Sequence, residues 1–206
     1  TSWQSPPGSE CEPPHLTWTG ARMLRNVFTK TALQGMSFSG VTLDGCQFSS
    51  TDLSGADFGG VALAGCNFQG ATLDGATFAR ATAPQAIFCA ATGQGIDFAG
   101  AALRQALFSG AAMPQARFVG CDLYQVHFAE ARLQGADFTG AELTYADFRH
   151  ADLRDADLRR ATMLRTVLHG TRTENSQMTD RARAIETDPE LQASERRQPV
   201  AGWGRP

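Results

Sequence analysis

Two cysteines twenty residues apart, Cys46 and Cys66, form the first pair whose type and spacing suit a metal ion or a disulfide. Both stand where neighbouring stretches carry Ala, Val or Thr, so packing of a small apolar side chain explains them better than chemistry does. The histidines, His15, His127, His150 and His169, have no cysteine or second histidine at zinc-ligand spacing. Carboxylates recur at Asp57, Asp97, Asp137 and Asp157, each just before a large apolar residue, a regularity expected of side chains that solvate an outer face. Glycines follow a five-residue period and mark no strand-to-helix junction, so no phosphate-binding loop is expected. No nucleophile, base and orienting group assemble from these residues. The sequence therefore predicts a protein that is not an enzyme, with no catalytic residue, metal or cofactor.

The elements that carry these residues are set by an internal repeat. In "GADFTGAELTYADF", residues 135 to 148, one five-letter word is written three times around Phe138, Leu143 and Phe148. From Met23 to Leu168 every fifth residue is Leu, Phe or Met except Ala83 and Gly93, a register of thirty central positions. Two residues before each centre the side chain is usually small, as at Ala56, Cys66 and Ala136. The residue between is commonly polar, and two residues after the centre Gly recurs, as at Gly45, Gly55 and Gly95.

In extended backbone, residues two apart point to the same side, so the small and large residues face inward and the polar one faces water. The recurrent Gly permits a tight turn before the next word. A helix fails on geometry, because a five-residue period scatters apolar side chains around the helix axis. A single word cannot bury its Phe or Leu. Successive words must wind into coils stacked about 4.8 Å apart through parallel ladders, which predicts an all-β solenoid.

The words "ADFTG", "AELTY", "ADFRH", "ADLRD" and "ADLRR" resemble the pentapeptide-repeat family over about three quarters of the chain. The resemblance implies a right-handed parallel quadrilateral β-helix with four words per turn. Residues 16–170 then make seven to eight coils, a rod roughly 35 Å long at the inter-strand spacing. Phe28 through Phe148 form one column and Phe38 through Phe138 the opposite one, with Leu columns on the other two faces. Residues 1–15 are a Pro-rich N-terminal segment that, with Trp18, caps the start. Residues 171–206 form a partly helical tail of one or two short helices, with Asp188 and Pro189 at a helix start. That tail caps the rod or pairs it as a homodimer, and Trp203 is its candidate docking residue.

Ala83 and Gly93 leave two deficits in the core, filled by Phe88 and Phe98 or left as a small void. Pro84 and Pro114 follow their centres directly, so that slot does not need its N–H in the ladder. Residues 81 to 120 contain only Asp97, Arg104 and Arg117 as charged side chains. Within that stretch Ile87 and Leu107 take the outward slot one coil apart, with Cys89 beside them, a candidate protein interface.

A formal charge of −3 predicts no general affinity for nucleic acid or membrane surfaces, and no apolar run is long enough to span a bilayer. Five cysteines, an odd count, point to reduced thiols and a cytoplasmic setting, leaving a secreted effector open. An interaction scaffold with a protein partner is the expected function, and some members of the family it resembles serve bacterial secretion or effector systems. The alternative implied by the resemblance is duplex-DNA mimicry toward DNA gyrase with quinolone protection. Against it, the repeat region carries thirteen acidic and twelve basic residues, and Arg149, Arg154, Arg159, Arg160 and Arg165 interrupt its acidic rows.

Overall fold

The structure is a computed structural model, and it describes residues 20–29, 31–187, 189 and 192–194. Its backbone is a four-sided parallel β-helix. Nearly every bridge joins a residue to the one twenty positions on, from Val27 with Gln47 to Asp152 with Arg172, so one coil contains four five-residue words. Four short strands lengthen this ladder: β1 (Arg22–Leu24) pairs with β2 (Thr42–Asp44), and β3 (Asp157–Leu158) pairs with β4 (Gln177–Met178), both in parallel.

Each word accounts for four of its five amides. The centre N–H donates up the rod, as from Phe48 to the Asn67 carbonyl at 2.7 Å, and the preceding N–H donates down it, as from Gln47 to Asn26 at 2.8 Å. The Gly-slot N–H also donates upward, from Gly55 to Asp74 at 2.8 Å, and the small residue closes the turn, from Ala56 to Leu53 at 2.9 Å. Only the first amide after the centre lies outside this frame. Pro84 and Pro114 occupy that slot, where a missing N–H costs no ladder bond, while their carbonyls still accept from Gly65 and Gly95. In many of the other words the outward polar residue two positions earlier accepts from this amide, as Asp57 does from Gly59 at 2.8 Å and Asp137 from Thr139 at 2.9 Å. The carboxylates are thus turn caps as well as solvated groups.

The core is two phenylalanine columns meeting at the axis. Within a column the rings stack, as Phe48 on Phe68 at 5.0 Å, and across columns they meet edge to face, as Phe58 with Phe68 at 5.6 Å and 82°. Both geometries satisfy the ring quadrupole, so each buried Phe gains contacts above, below and beside it. At Gly93 the missing centre is filled by Ile96, not by Phe88 or Phe98: Cγ2 of Ile96 lies 3.3 Å from where a Cβ on Gly93 would stand. Ile96 occupies a slot that is usually Ala, and it is fully buried.

The ladder runs on beyond residue 170, through Arg172 and β4. The tail from residue 171, expected to be partly helical, therefore first completes a coil. Beyond β4 the chain cuts a corner and caps the open edge with substitutes for ladder carbonyls. The Thr179 hydroxyl accepts from the Arg160 N–H at 2.9 Å, and the Asp180 carboxylate accepts from the Met163 N–H at 2.9 Å. A 3-10 turn, Arg181–Arg183, then brings the Arg183 and Ile185 carbonyls over the amides of Arg165 and Leu168. Residues 189 and 192–194 are helical. The Pro-rich segment 1–15, Trp18, Asp188 and Trp203 lie outside the described residues.

Candidate functional site

Ile87 pairs with Leu107, and Leu107 with His127, along one wall of the rod. This is the outward slot that in many words carries an Asp, Asn or Thr turn cap and in others a small Ala, as at Ala62, Ala102 and Ala112; an aliphatic side chain has no atom to accept the capping bond. Ile87 and Leu107 are half-buried, so they form the floor of a groove instead of projecting. The corner beside them carries Gln85, Gln105 and Gln125 one coil apart. Their amides form a ladder, Gln85 Nε2 donating to Gln105 Oε1 at 3.1 Å and Gln105 Nε2 to Gln125 Oε1 at 3.0 Å.

His127 and Tyr145 close the upper end, and the groove measures about 560 Å³. Tyr145 stands at a left-handed corner with φ of 61° and is 42% exposed, an unusual placement for a large aromatic residue. Its ring meets that of Tyr124 edge on at 5.7 Å, and the Arg104 guanidinium lies 4.4 Å over Tyr124 while pairing with Asp122 at 3.1 Å. Aromatic residues and arginine anchored in this way are the side chains that dominate protein–protein binding energy.

The structure brings Ile87 and Leu107 together as the sequence predicts, but Cys89 is not among the groove-lining residues. Its Sγ lies 3.9 Å from the Leu107 carbonyl, farther along the same wall. The glutamine row, His127 and Tyr145 escaped the sequence reading. The recurrence of Gln at 85, 105 and 125, a spacing of one coil, is the signal that identifies the row.

Of the buried thiols, Cys46 is held down to about 7 by its bond with the Cys66 thiol, whereas Cys66 and Cys121 are bonded into the rod as structural groups. Cys66 donates to the Leu43 carbonyl at 3.1 Å and Cys121 to the Phe98 carbonyl at 2.9 Å, the same bond that the Thr51 hydroxyl makes to Phe28 at 2.9 Å. Contact with the Cys46 thiol, together with burial, pushes the Cys66 thiol up, and burial pushes Cys121 up to about 12. Such thiols stay protonated and are poor nucleophiles. Among the described residues no three His, Cys, Asp or Glu side chains cluster to hold a metal ion, and no helix is long and apolar enough to cross a membrane.

Near the C-terminal end the carboxylates are gripped by arginines two residues on. Arg149 Nε lies 2.9 Å from Asp147 Oδ1, and Arg154 and Arg159 hold Asp152 and Asp157 in the same way, each at 2.9 Å. Burial opposes ionisation of Asp147, but its bonds to Arg149 outweigh this and hold the carboxyl below the usual range. The Arg154 guanidinium holds Asp152 down to about 2, with Gln134 Nε2 also donating to it at 2.7 Å. Three neighbouring acids are thus neutralised in place.

A family model described as pentapeptide repeats matches in eight copies, over residues 27–60, 43–80, 56–92, 94–128 and 121–160. No curated protein matches the chain. Among solved structures, a trypsin-treated form of QnrB1, a plasmid-mediated fluoroquinolone resistance protein, is 23% identical, with a TM-score of 0.37, 80% of this chain and 90% of that chain being covered. HetL, a pentapeptide repeat protein involved in heterocyst differentiation regulation from the cyanobacterium Nostoc sp. strain PCC 7120, is 20% identical over 81% of this chain and 86% of its own, with a TM-score of 0.30. A pentapeptide repeat protein from the Arabidopsis thaliana thylakoid lumen is 26% identical over 71% of this chain and 75% of its own, with a TM-score of 0.31. With its repeat match covering more than half of its length, the chain belongs to the pentapeptide-repeat family and has that family's right-handed quadrilateral β-helix.

Proposed function

We propose that this protein is a non-enzymatic interaction scaffold, and that a partner protein docks in the groove floored by Ile87 and Leu107. The carrying observation is the replacement of the turn-capping polar residue by two aliphatic side chains in successive coils, beside a glutamine row and Tyr145. Apolar side chains in a slot that favours a polar cap leave turn amides uncapped, and a binding surface accounts for that loss. The rigid ladder beneath fixes the groove's side chains one coil apart, so little ordering entropy is lost when a partner binds.

A photo-crosslinking residue placed at Gln105 tests this, with the same residue at Thr77 on the opposite wall as control. The expected result is a specific adduct from Gln105 alone. Equal adducts from both positions contradict the assignment. Duplex-DNA mimicry has less support: the forks at Asp147, Asp152 and Asp157 remove the continuous negative stripe such mimicry needs. A supercoiling assay in which the protein neither inhibits nor protects gyrase is the expected outcome.

A further inference from the structure

We propose that the groove takes an extended, acidic-aliphatic peptide segment of a partner protein, its aliphatic side chains on Ile87 and Leu107 and one carboxylate at the upper end, among Gln125, His127, Tyr145 and Arg165. The inference rests on the groove being the docking surface assigned above and names what docks there. The direction of the glutamine row is the first observation. Each side-chain amide donates to the next one up, Gln85 to Gln105 and Gln105 to Gln125, so the amide dipoles align with their donor end at Gln125. That last donor, Gln125 Nε2, has no acceptor among the described residues. Aligned amides polarise one another, so the end of the row presents a fixed partial positive charge.

The second is the charge left over at that end. Nδ1 of His127 faces Asp147 Oδ2 at 3.8 Å, which leaves Nε2, across the ring, as the nitrogen available to a ligand. Asp147 itself is neutralised by Arg149, and Asp122 by Arg104. Glu130 stands at the opposite corner of the His127 wall and does not line the groove. One coil above Tyr145, at the same corner, Arg165 is exposed and pairs with no carboxylate among the described residues. The upper end thus holds a cation and several donors without an anion of its own. A phosphate dianion calls for clustered arginines, whereas one arginine beside an imidazole and neutral donors suits a single carboxylate.

The third is spacing. Leu107 bridges His127 and His127 bridges Asp147, so the coil that carries Tyr145 lies two rungs above Leu107, about 10 Å at the inter-strand spacing. An extended chain covers that distance in about three residues. A segment with its aliphatic side chain over Leu107 therefore brings an acidic residue about three positions away to the donors and to Arg165 from above. A lysine or arginine there would meet like charge, and a neutral residue would strip water from these donors without a charge-assisted bond in return.

A library of random short peptides displayed on phage, selected against the immobilised full-length protein, tests this. The same selection is run on Arg165→Glu and on the double variant Ile87→Asp, Leu107→Asp, each with an unchanged far-UV circular dichroism spectrum; Glu130 already holds a glutamate at a left-handed corner like that of Arg165. On the parent the expected enrichment is for Asp or Glu about three residues from Leu, Ile or Val. Arg165→Glu exchanges the acidic preference for a basic one and keeps the aliphatic one, and the double variant loses the set. Replacing the acid of an enriched peptide by its amide weakens binding about tenfold. Neutral or basic peptides on the parent, an acidic preference that persists in Arg165→Glu, an unchanged set on the double variant, or no enrichment at all overturns the proposal. Neutral peptides that the double variant loses would remove the carboxylate and leave the scaffold reading standing, whereas equal crosslinks from Gln105 and Thr77 remove that reading itself.

Discussion

The side chain of Ile96 fills the space left at Gly93, three residues earlier on the same turn, with its Cγ2 3.3 Å from where a Cβ on Gly93 would lie. The pair exchanges the usual large centre and small neighbour, conserving volume in the core. Ile96→Ala alone should cost about 2 to 4 kcal/mol because it leaves a cavity, and Gly93→Leu alone about 1 to 3 kcal/mol because it overpacks. The double variant restores the ordinary word and should recover most of both losses. Denaturant unfolding of the four proteins checks this, and additive losses would show that the two sites are independent.

Left-handed corners provide a second test. Ala90 sits at φ 55°, a conformation that strains any residue with a Cβ, and Ala90→Gly should stabilise the rod by about 0.5 to 1 kcal/mol. Gly170, at φ 65°, is the contrary case: an added Cβ would run into the ring of His150. Gly170→Ala should cost about 2 kcal/mol or more, whereas Gly60→Ala, with no atom within 4 Å, should cost about 1 kcal/mol. Thermal unfolding ranks the three.

Much of this architecture is legible in the sequence because each word buries one large side chain and the period is short. The twenty-residue coil is implied by the family resemblance, and given four words per turn the paired phenylalanine columns and the proline slots follow from spacing. The Ile96 compensation does not, since a residue three positions away reaches the same point only after the turn folds. Nor does the capping role of Asp57 or Asp137, which looks like solvation until the one unladdered amide is identified. The edge cap is hidden for a similar reason: Thr179 and Asp180 replace backbone carbonyls with side-chain oxygens. Of the groove, Ile87 and Leu107 were visible as apolar residues in a polar slot. The glutamine row was not, because its slot is read as a conformational position that Gly fills.

The Arg154 fork makes stability depend on pH. Asp152 has a folded value of about 2 against an ordinary 3.8, so its contribution is present above pH 4 and is lost as pH falls toward 2. With screening of the exposed Arg154 the effect is on the order of 1 kcal/mol. Asp152→Asn should lower stability at pH 7 and flatten the acid limb between pH 4 and 2. An unchanged limb in that variant would show that the acid sensitivity arises elsewhere.

The double variant Ile87→Asp, Leu107→Asp should remain folded, because Asp is the side chain this slot commonly carries, and it can accept from the amides of Cys89 and Ser109. Its unfolding midpoint should equal or exceed that of the parent, by up to about 1 kcal/mol per new cap. A loss of several kcal/mol would mean that the aliphatic pair is needed for the fold.

Quantitative co-purification, comparing the parent with this variant at matched folding, tests the scaffold assignment most directly. A partner that binds through the groove should be retained by the parent and lost from the variant, while a surface control at Thr77 keeps it. Identical sets of bound proteins on the parent and the variant would contradict the assignment of this wall as the docking surface.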